Sequence, residues 1–205
     1  MAIMFNLERS IFETTSNGIK AMSLGDKFLE QRIIYLDGEI EEGTGNEISK
    51  QLLYLDSISH EPIKLYINSP GGSCSEGLQI LDTMELIDSP VYTFNIGMCV
   101  SMGFAILVRG DKRFSYRDAE AMCHQVSYGA YGNIQDVRTQ VESAERINKV
   151  LSEKISEALG ITIEEYYKMT VRDKWLTPEE MLSLGAIDKI LLPKQNRKGK
   201  RNFKK

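Results

Sequence analysis

Only two histidines occur in the 205 residues, so chemistry that needs an imidazole base has few candidates. His60 lies in Ser57-Ile58-Ser59-His60-Glu61-Pro62, a polar segment that reads as an exposed helix end. His124 follows the apolar Ala121-Met122-Cys123 and precedes a glycine-containing loop, Tyr128–Asn133. A lone histidine at a strand end can be purely structural; as a general base, His124 is the better placed of the two. Ser101, in Gly97-Met98-Cys99-Val100-Ser101-Met102-Gly103, sits where a β-strand turns into an apolar helix. A helix N-terminus offers unpaired backbone N–H groups and the positive end of a dipole, so an oxyanion can be held there without a charged side chain. On this segment alone Ser101 reads equally as a nucleophile or as an N-cap.

The spacing around Ser101 is not the GxSxG elbow of the α/β-hydrolases. A second anion-ready element is Asn68-Ser69-Pro70-Gly71-Gly72-Ser73, between a strand and a helix. It lacks the GxxxxGK[ST] of a phosphate loop, and suits an oxyanion donor, a docking edge for a substrate strand, or simply a turn. For a carboxylate to orient His124 the chain offers many choices and no local rule. Asp173 lies between Arg172 and Lys174, where a surface salt bridge explains it as well. The chain order Ser, His, Asp is permitted, because triads are defined by geometry.

The elements that must position these residues alternate. Arg32–Leu36 is a strand rich in β-branched residues. Thr44 with Glu47 forms a capping-box pattern ahead of a helix carrying Ile48, Leu52 and Leu55. A strand at Ile63–Asn68 leads into the glycine pair, and a helix follows with Leu78, Leu81 and Met84 inward. Val91–Ile96 is a third strand, and the helix after Ser101 ends near Val108. Short strands are expected at Arg113–Tyr116, Ala121–Cys123 and Ile187–Leu192, and Thr177-Pro178-Glu179-Glu180 opens a short capped helix. Strands alternating with helices imply a parallel α/β arrangement of repeated β-α units. Ile134, Val137, Val141, Ala144, Ile147, Leu151, Ile155 and Leu159 recur at helical spacing until Gly160 supplies a stop. At 1.5 Å per residue that helix is roughly 39 Å long, more than a domain of this size covers, so part of it should project and its stripe should meet a second copy.

Composition narrows the class. Hydrophobic residues make up 42% and charged residues 26%, enough for one buried core. No apolar run approaches the ~20 residues of a membrane span, and Met1–Ile11, with Glu8 and Arg9, reads as neither secretory signal nor transit peptide. Cys74, Cys99 and Cys123 share no CxxC spacing, which favours free thiols in a reducing, cytoplasmic setting and no metal site. Residues 194–205 carry five Lys and two Arg without an acid; removing those seven charges from the net −4 leaves −11 for residues 1–193. The acidic body argues against nucleic acid as a partner. The expected organisation is a mobile lead-in over 1–29, one domain over 30–192 and a basic, disordered tail over 193–205.

Four blocks in order, YINSPGGS (66–73), GMCVSMG (97–103), CHQ (123–125) and VRDKWLTPEEMLSLGAIDKIL (171–191), resemble the signatures of the Clp protease proteolytic subunit, with similarity over roughly residues 30–192. The resemblance implies a serine endopeptidase with Ser101 as nucleophile, His124 as base and Asp173 as its orienter. It implies oxyanion donors at the Gly72 and Met102 backbone amides, and places Arg172 at a ring–ring contact. It further implies a crotonase-like α/β fold, the long helix as an intercalating handle, and two stacked heptameric rings that enclose a chamber for unfolded polypeptide. A AAA+ unfoldase would consume the ATP, so this chain needs no cofactor, and its docking pocket would draw on Leu86, Phe114 and Leu191.

Several positions depart from that pattern. Val126 stands where Pro is usual, Cys99-Val100 replaces a small pair, and the Ser101–His124 loop is about two residues short. Val171 replaces an acid beside Arg172, Lys64 replaces a docking aromatic, and the basic tail is extra. Two rival readings remain: a catalytically weak or structural ring subunit, and an acyl-CoA hydratase or isomerase of crotonase fold. The second would need a carboxylate at the cradle, for which Glu76 is the candidate.

Overall fold

The computed structural model describes residues 11–15 and 18–193. The expected basic tail from residue 194 and the first ten residues of the expected lead-in lie outside them. Within that lead-in, where the sequence marks no element, Ile11–Thr15 (β1) and Gly18–Met22 (β2) pair antiparallel. Helix α1, Leu24–Glu30, follows, opened by a reciprocal cap between Ser23 and Asp26.

The remaining strands form one seven-stranded sheet: β3 (Ile33–Asp37), β4 (Ile63–Ser69), β5 (Val91–Val100), β6 (Lys112–Tyr116), β7 (Glu120–Cys123), β8 (Lys174–Leu176) and β9 (Lys189–Leu191). The path β3-β4-β5-β6-β9 is parallel throughout; β7 pairs parallel with β5 and antiparallel with β8. Helices α2 (Thr44–Ile58), α3 (Cys74–Leu86) and α4 (Met102–Val108) cover one face. The core lies between them and the alternating inward residues of the strands, such as Ile34, Leu65, Ile67 and Val91, with Leu52, Leu81 and Phe104 from the helices. Seven helices and a mostly parallel sheet among the described residues make the chain mixed α/β, as expected from the alternation of strand and helix patterns.

Helix α2 begins at Thr44, but not through the expected cap. Gly43 is the N-cap, with φ of 94° and no side-chain bond. The orphan N–H groups of Gly43 and Gly45 instead donate to Glu76 Oε2 of α3, at 3.2 and 2.7 Å. A carboxylate from a packed neighbour replaces Glu47, and Gly45 is needed there because a Cβ would lie 2.7 Å from the Glu76 carbonyl.

Helix α5 spans Ile134–Leu159, the 26 residues predicted, and closes on Gly160 in the left-handed conformation. Its buried residues all lie in the second half, from Leu151 onward, whereas Ile134 is 74% exposed and Val141 41%. Helix α6, Ile163–Met169, and helix α7, Pro178–Leu184, complete the fold, each with a Thr/Glu capping box. No helix among the described residues is long and apolar enough to cross a membrane.

Charge fastens the buried half of α5. Arg109 donates to Glu157 at 2.8 Å and Glu85 at 2.9 Å, and Lys154 donates to Glu85 at 2.8 Å and lies 3.3 Å from Asp82. Burial opposes ionisation of Glu85, but the hydrogen bonds and charges of Lys154 and Arg109 outweigh it and hold the carboxyl below its ordinary 4.5. Burial likewise disfavours the Lys154 cation, and Glu85 and Asp82 override it to raise that pKa above 10.5. The stabilisation from Glu85 is therefore present above pH 4.5 and is lost as pH falls through the depressed folded value. That from Lys154 is present below pH 10.5 and is lost as pH rises through the raised one. Because the cluster is partly solvated, Glu85→Gln should cost no more than about 1 kcal/mol at neutral pH. In urea titrations the gap between wild type and variant should shrink as pH drops below 4.5; an undiminished gap at about pH 3 would contradict this assignment.

Candidate active site

Strand β5 builds the site by forking. Its first half, Tyr92–Asn95, pairs with β6, and its last residues, Met98–Val100, pair with β7. The strand runs past Ile96, its expected end, by pairing Met98–Val100 with β7, while Met98 N–H donates to Asn68 Oδ1 at 3.3 Å. Gly97 packs against that same side chain: a Cβ there would lie 2.5 Å from Asn68 Oδ1. Extension carries the chain to Ser101 at the outer end of the fork, beside the end of β7.

Ser101 is not a conventional N-cap: its side chain makes no cap bond, and its backbone stands at φ 57° and ψ −117°. A non-glycine residue in such a region costs on the order of 1–3 kcal/mol and needs its surroundings to hold it. Here Ser101 N–H donates to Met122 O at 2.8 Å, and Ser101 O accepts from the N–H of Phe104 and of Ala105. The strained turn brings Oγ to 2.7 Å from His124 Nε2.

The antiparallel β7–β8 register, with Cys123 opposite Lys174, sets Asp173 beside His124. Asp173 Oδ1 is 3.5 Å from His124 Nδ1, and its side chain is 61% exposed, so this contact is looser than that to Ser101. The three residues singled out in the sequence thus stand in a row. Arg172 is exposed next to Asp173 and makes no ion pair among the described residues. His60 is elsewhere, bonded to Asp56 at 3.0 Å.

The Gly71–Gly72 turn closes the other side. Ile40 N–H donates to Gly71 O and Ser73 N–H to Ile40 O, at 2.8 and 2.7 Å, which leaves the Gly72 N–H outside that ladder. The Met102 N–H, at the first position of α4, likewise has no acceptor among the described residues. Gly71 has φ of 90°, and a Cβ would meet Val100 O at 2.6 Å and Ser101 Cβ at 2.7 Å; Gly72 lies as close to Ile40. A larger residue at Gly71 would displace the serine turn, and one at Gly72 would displace the Ile40 backbone. Gly72, Ser101, Met102 and His124 line one side of a cavity of about 160 Å³, faced by Leu151 and Ile155 of α5.

The three thiols are poor nucleophiles. Burial holds the Cys99 thiol far above its ordinary 9.0 and pushes Cys123 up to about 12. Cys74, half-buried in the cavity wall, is raised for the same reason. Glu76 is spent on capping α2. Among the described residues no cluster of His, Cys, Asp or Glu could hold a metal ion.

The chain matches the Clp protease family over residues 16–194. It belongs to that family. Its mixed α/β architecture is the Clp protease fold, and as a Clp protease it is a peptidase.

Elsewhere on this Clp protease, Phe114 stacks on Phe94 at 4.7 Å, the end of an aromatic ladder that runs through Tyr66, Tyr35 and Phe28. Leu191 lies one strand over, paired with Tyr116, and lines a cavity of about 690 Å³ with Ile96. Leu86, 82% exposed at the end of α3, does not line it. Sequence patterns did not single out Tyr166, whose hydroxyl donates to His124 O at 3.2 Å, or Asn148, which accepts from Val126 N–H at 2.9 Å. A signal exists for Asn148: with Ser152 and Ser156 it forms a polar edge at four-residue steps beside the apolar stripe of α5.

Proposed function

We propose that this chain is the proteolytic subunit of an ATP-dependent Clp protease, a serine endopeptidase acting on unfolded polypeptide. The observation that carries the reading is the 2.7 Å contact between Ser101 Oγ and His124 Nε2, in a cavity bordered by the uncommitted amides of Gly72 and Met102. Ser101 Oγ attacks the scissile carbonyl carbon while His124 Nε2 takes its proton. The Gly72 and Met102 N–H groups hold the resulting oxyanion. The imidazolium then protonates the leaving amine, leaving an acyl-Ser101 ester. A water, deprotonated by the same nitrogen, hydrolyses that ester and restores the serine. Asp173 faces the Nδ1 proton and keeps the ring in the tautomer this requires.

In the assembled enzyme, two heptameric rings stack through the exposed half of α5, which acts as the handle, with Arg172 at the contact. Unfolded substrate enters from a AAA+ unfoldase that consumes the ATP and docks at Leu86, Phe114 and Leu191; this chain uses no cofactor. The reading places it in the cytoplasm, without nucleic-acid or membrane partners. The hydratase reading is disfavoured because the Glu76 carboxylate is already bonded to two amides.

The test is labelling by a serine-directed fluorophosphonate. An adduct on Ser101, located by mass spectrometry, is the expected result. An unlabelled but fully assembled particle would overturn the peptidase mechanism and favour a structural ring subunit.

A further inference from the structure

We propose that Asn148 is a positioning residue for the catalytic base: by accepting the Val126 N–H it latches the segment that carries His124 to helix α5. The proposal rests on the serine-peptidase reading above. Strand β7 ends at Cys123, so His124, Gln125 and Val126 leave the sheet without a ladder partner. Each is nonetheless anchored by a different group. His124 O accepts from Tyr166 Oη at 3.2 Å, and Gln125 Nε2 donates to Thr170 O at 3.5 Å, both on the α6 side. Val126 N–H donates to Asn148 Oδ1 at 2.9 Å, the shortest of the three and the one that comes from α5. Because an N–H can only donate, the orientation of the Asn148 amide is set, with its oxygen toward Val126.

The base needs this support. Its ring must keep Nε2 at 2.7 Å from Ser101 while Nδ1 faces a carboxylate that is 3.5 Å away and mostly exposed. Asp173 alone is a weak restraint, so the backbone of residue 124 must be placed from elsewhere. Val126 packs partly buried against the core, and Asn148 is half-buried in the wall of the catalytic cavity. Without an acceptor the Val126 N–H has to seek water, and the segment swings about the two α6 anchors. A displacement near 1 Å at the base can cost roughly 100-fold in rate.

The test compares Asn148→Leu, Asn148→Asp, Val126→Pro and the double variant Val126→Pro/Asn148→Leu, each as the full assembled chain. The readouts are kcat and KM on a short fluorogenic peptide, and the rate of fluorophosphonate reaction at Ser101. Asn148→Leu should lower kcat and the labelling rate by roughly 10- to 100-fold with KM within about twofold. Asn148→Asp, which keeps an acceptor, should retain most activity. Val126→Pro removes the donor but installs the ring-constrained backbone that is usual at this position, so it should keep most activity, and in that background Asn148→Leu should cost little more, because no N–H is left to satisfy. Wild-type rates in Asn148→Leu, equal damage in Asn148→Asp, or multiplicative loss in the double variant would each overturn the proposal. If Asn148→Leu fails to assemble, Asn148→Ala, which also removes the acceptor, decides by the same readouts. Wild type that is never labelled at Ser101 would instead sink the peptidase reading itself.

Discussion

Ser101→Ala should abolish hydrolysis of short peptides, by roughly 10⁴-fold or more, while leaving fold and assembly intact. The substitution removes one oxygen from a position that makes no capping bond, so the turn loses no structural hydrogen bond. What it loses is the hydroxyl that stands 2.7 Å from His124 Nε2. His124→Ala should lose activity comparably, because nucleophile and base act as a unit. Asp173→Asn should cost less, in keeping with its looser 3.5 Å contact and 61% exposure. Steady-state kinetics with a fluorogenic peptide check all three. Substantial activity in Ser101→Ala would overturn the assignment, and the buried, protonated Cys99 could not easily take over.

Val141→Asp should separate the fold from the assembly. Val141 is 41% exposed on the half of α5 that the chain leaves uncovered, so the variant protomer should fold with little loss. If that stripe packs on a second copy, the same substitution buries an unpaired carboxylate at the contact, at several kcal/mol per copy. Sedimentation should then show a smaller particle than wild type. Peptidase activity should fall with it if the His124–Asp173 contact, 3.5 Å in the single chain, is tightened by the second copy. A variant that sediments and cleaves like wild type would remove this half of α5 from the assembly. If Val171, 75% exposed beside Arg172, lies at that contact, it supplies no charge there, and salt should weaken the wild-type particle less than it would one held by ion pairs.

Local patterns were sufficient where the physics is local. Eight apolar residues at helical spacing and a closing Gly160 define α5 to the residue, because a helix of that length is set by periodicity and its cap. Thr177, Pro178 and Glu180 define the start of α7 for the same reason. The resemblance of four short blocks was enough to name the family, and with it the residues worth testing. Where a long-range contact supplies the missing group, the sequence is mute. Glu47 has the spacing to cap α2, yet Glu76 does so from a helix 29 residues further on. Helix α6 escaped notice because seven residues carry too little periodicity, although it delivers Tyr166 to His124. Above all, nothing near Asp173 distinguishes it from a surface carboxylate. It stands beside His124 because β8 pairs antiparallel with β7, while Ser101 reaches the same histidine because β5 forks at Gly97 toward β7. Residue types and local spacing determined the elements and the candidates; strand pairing between distant segments, which no local propensity encodes, decided which of them meet.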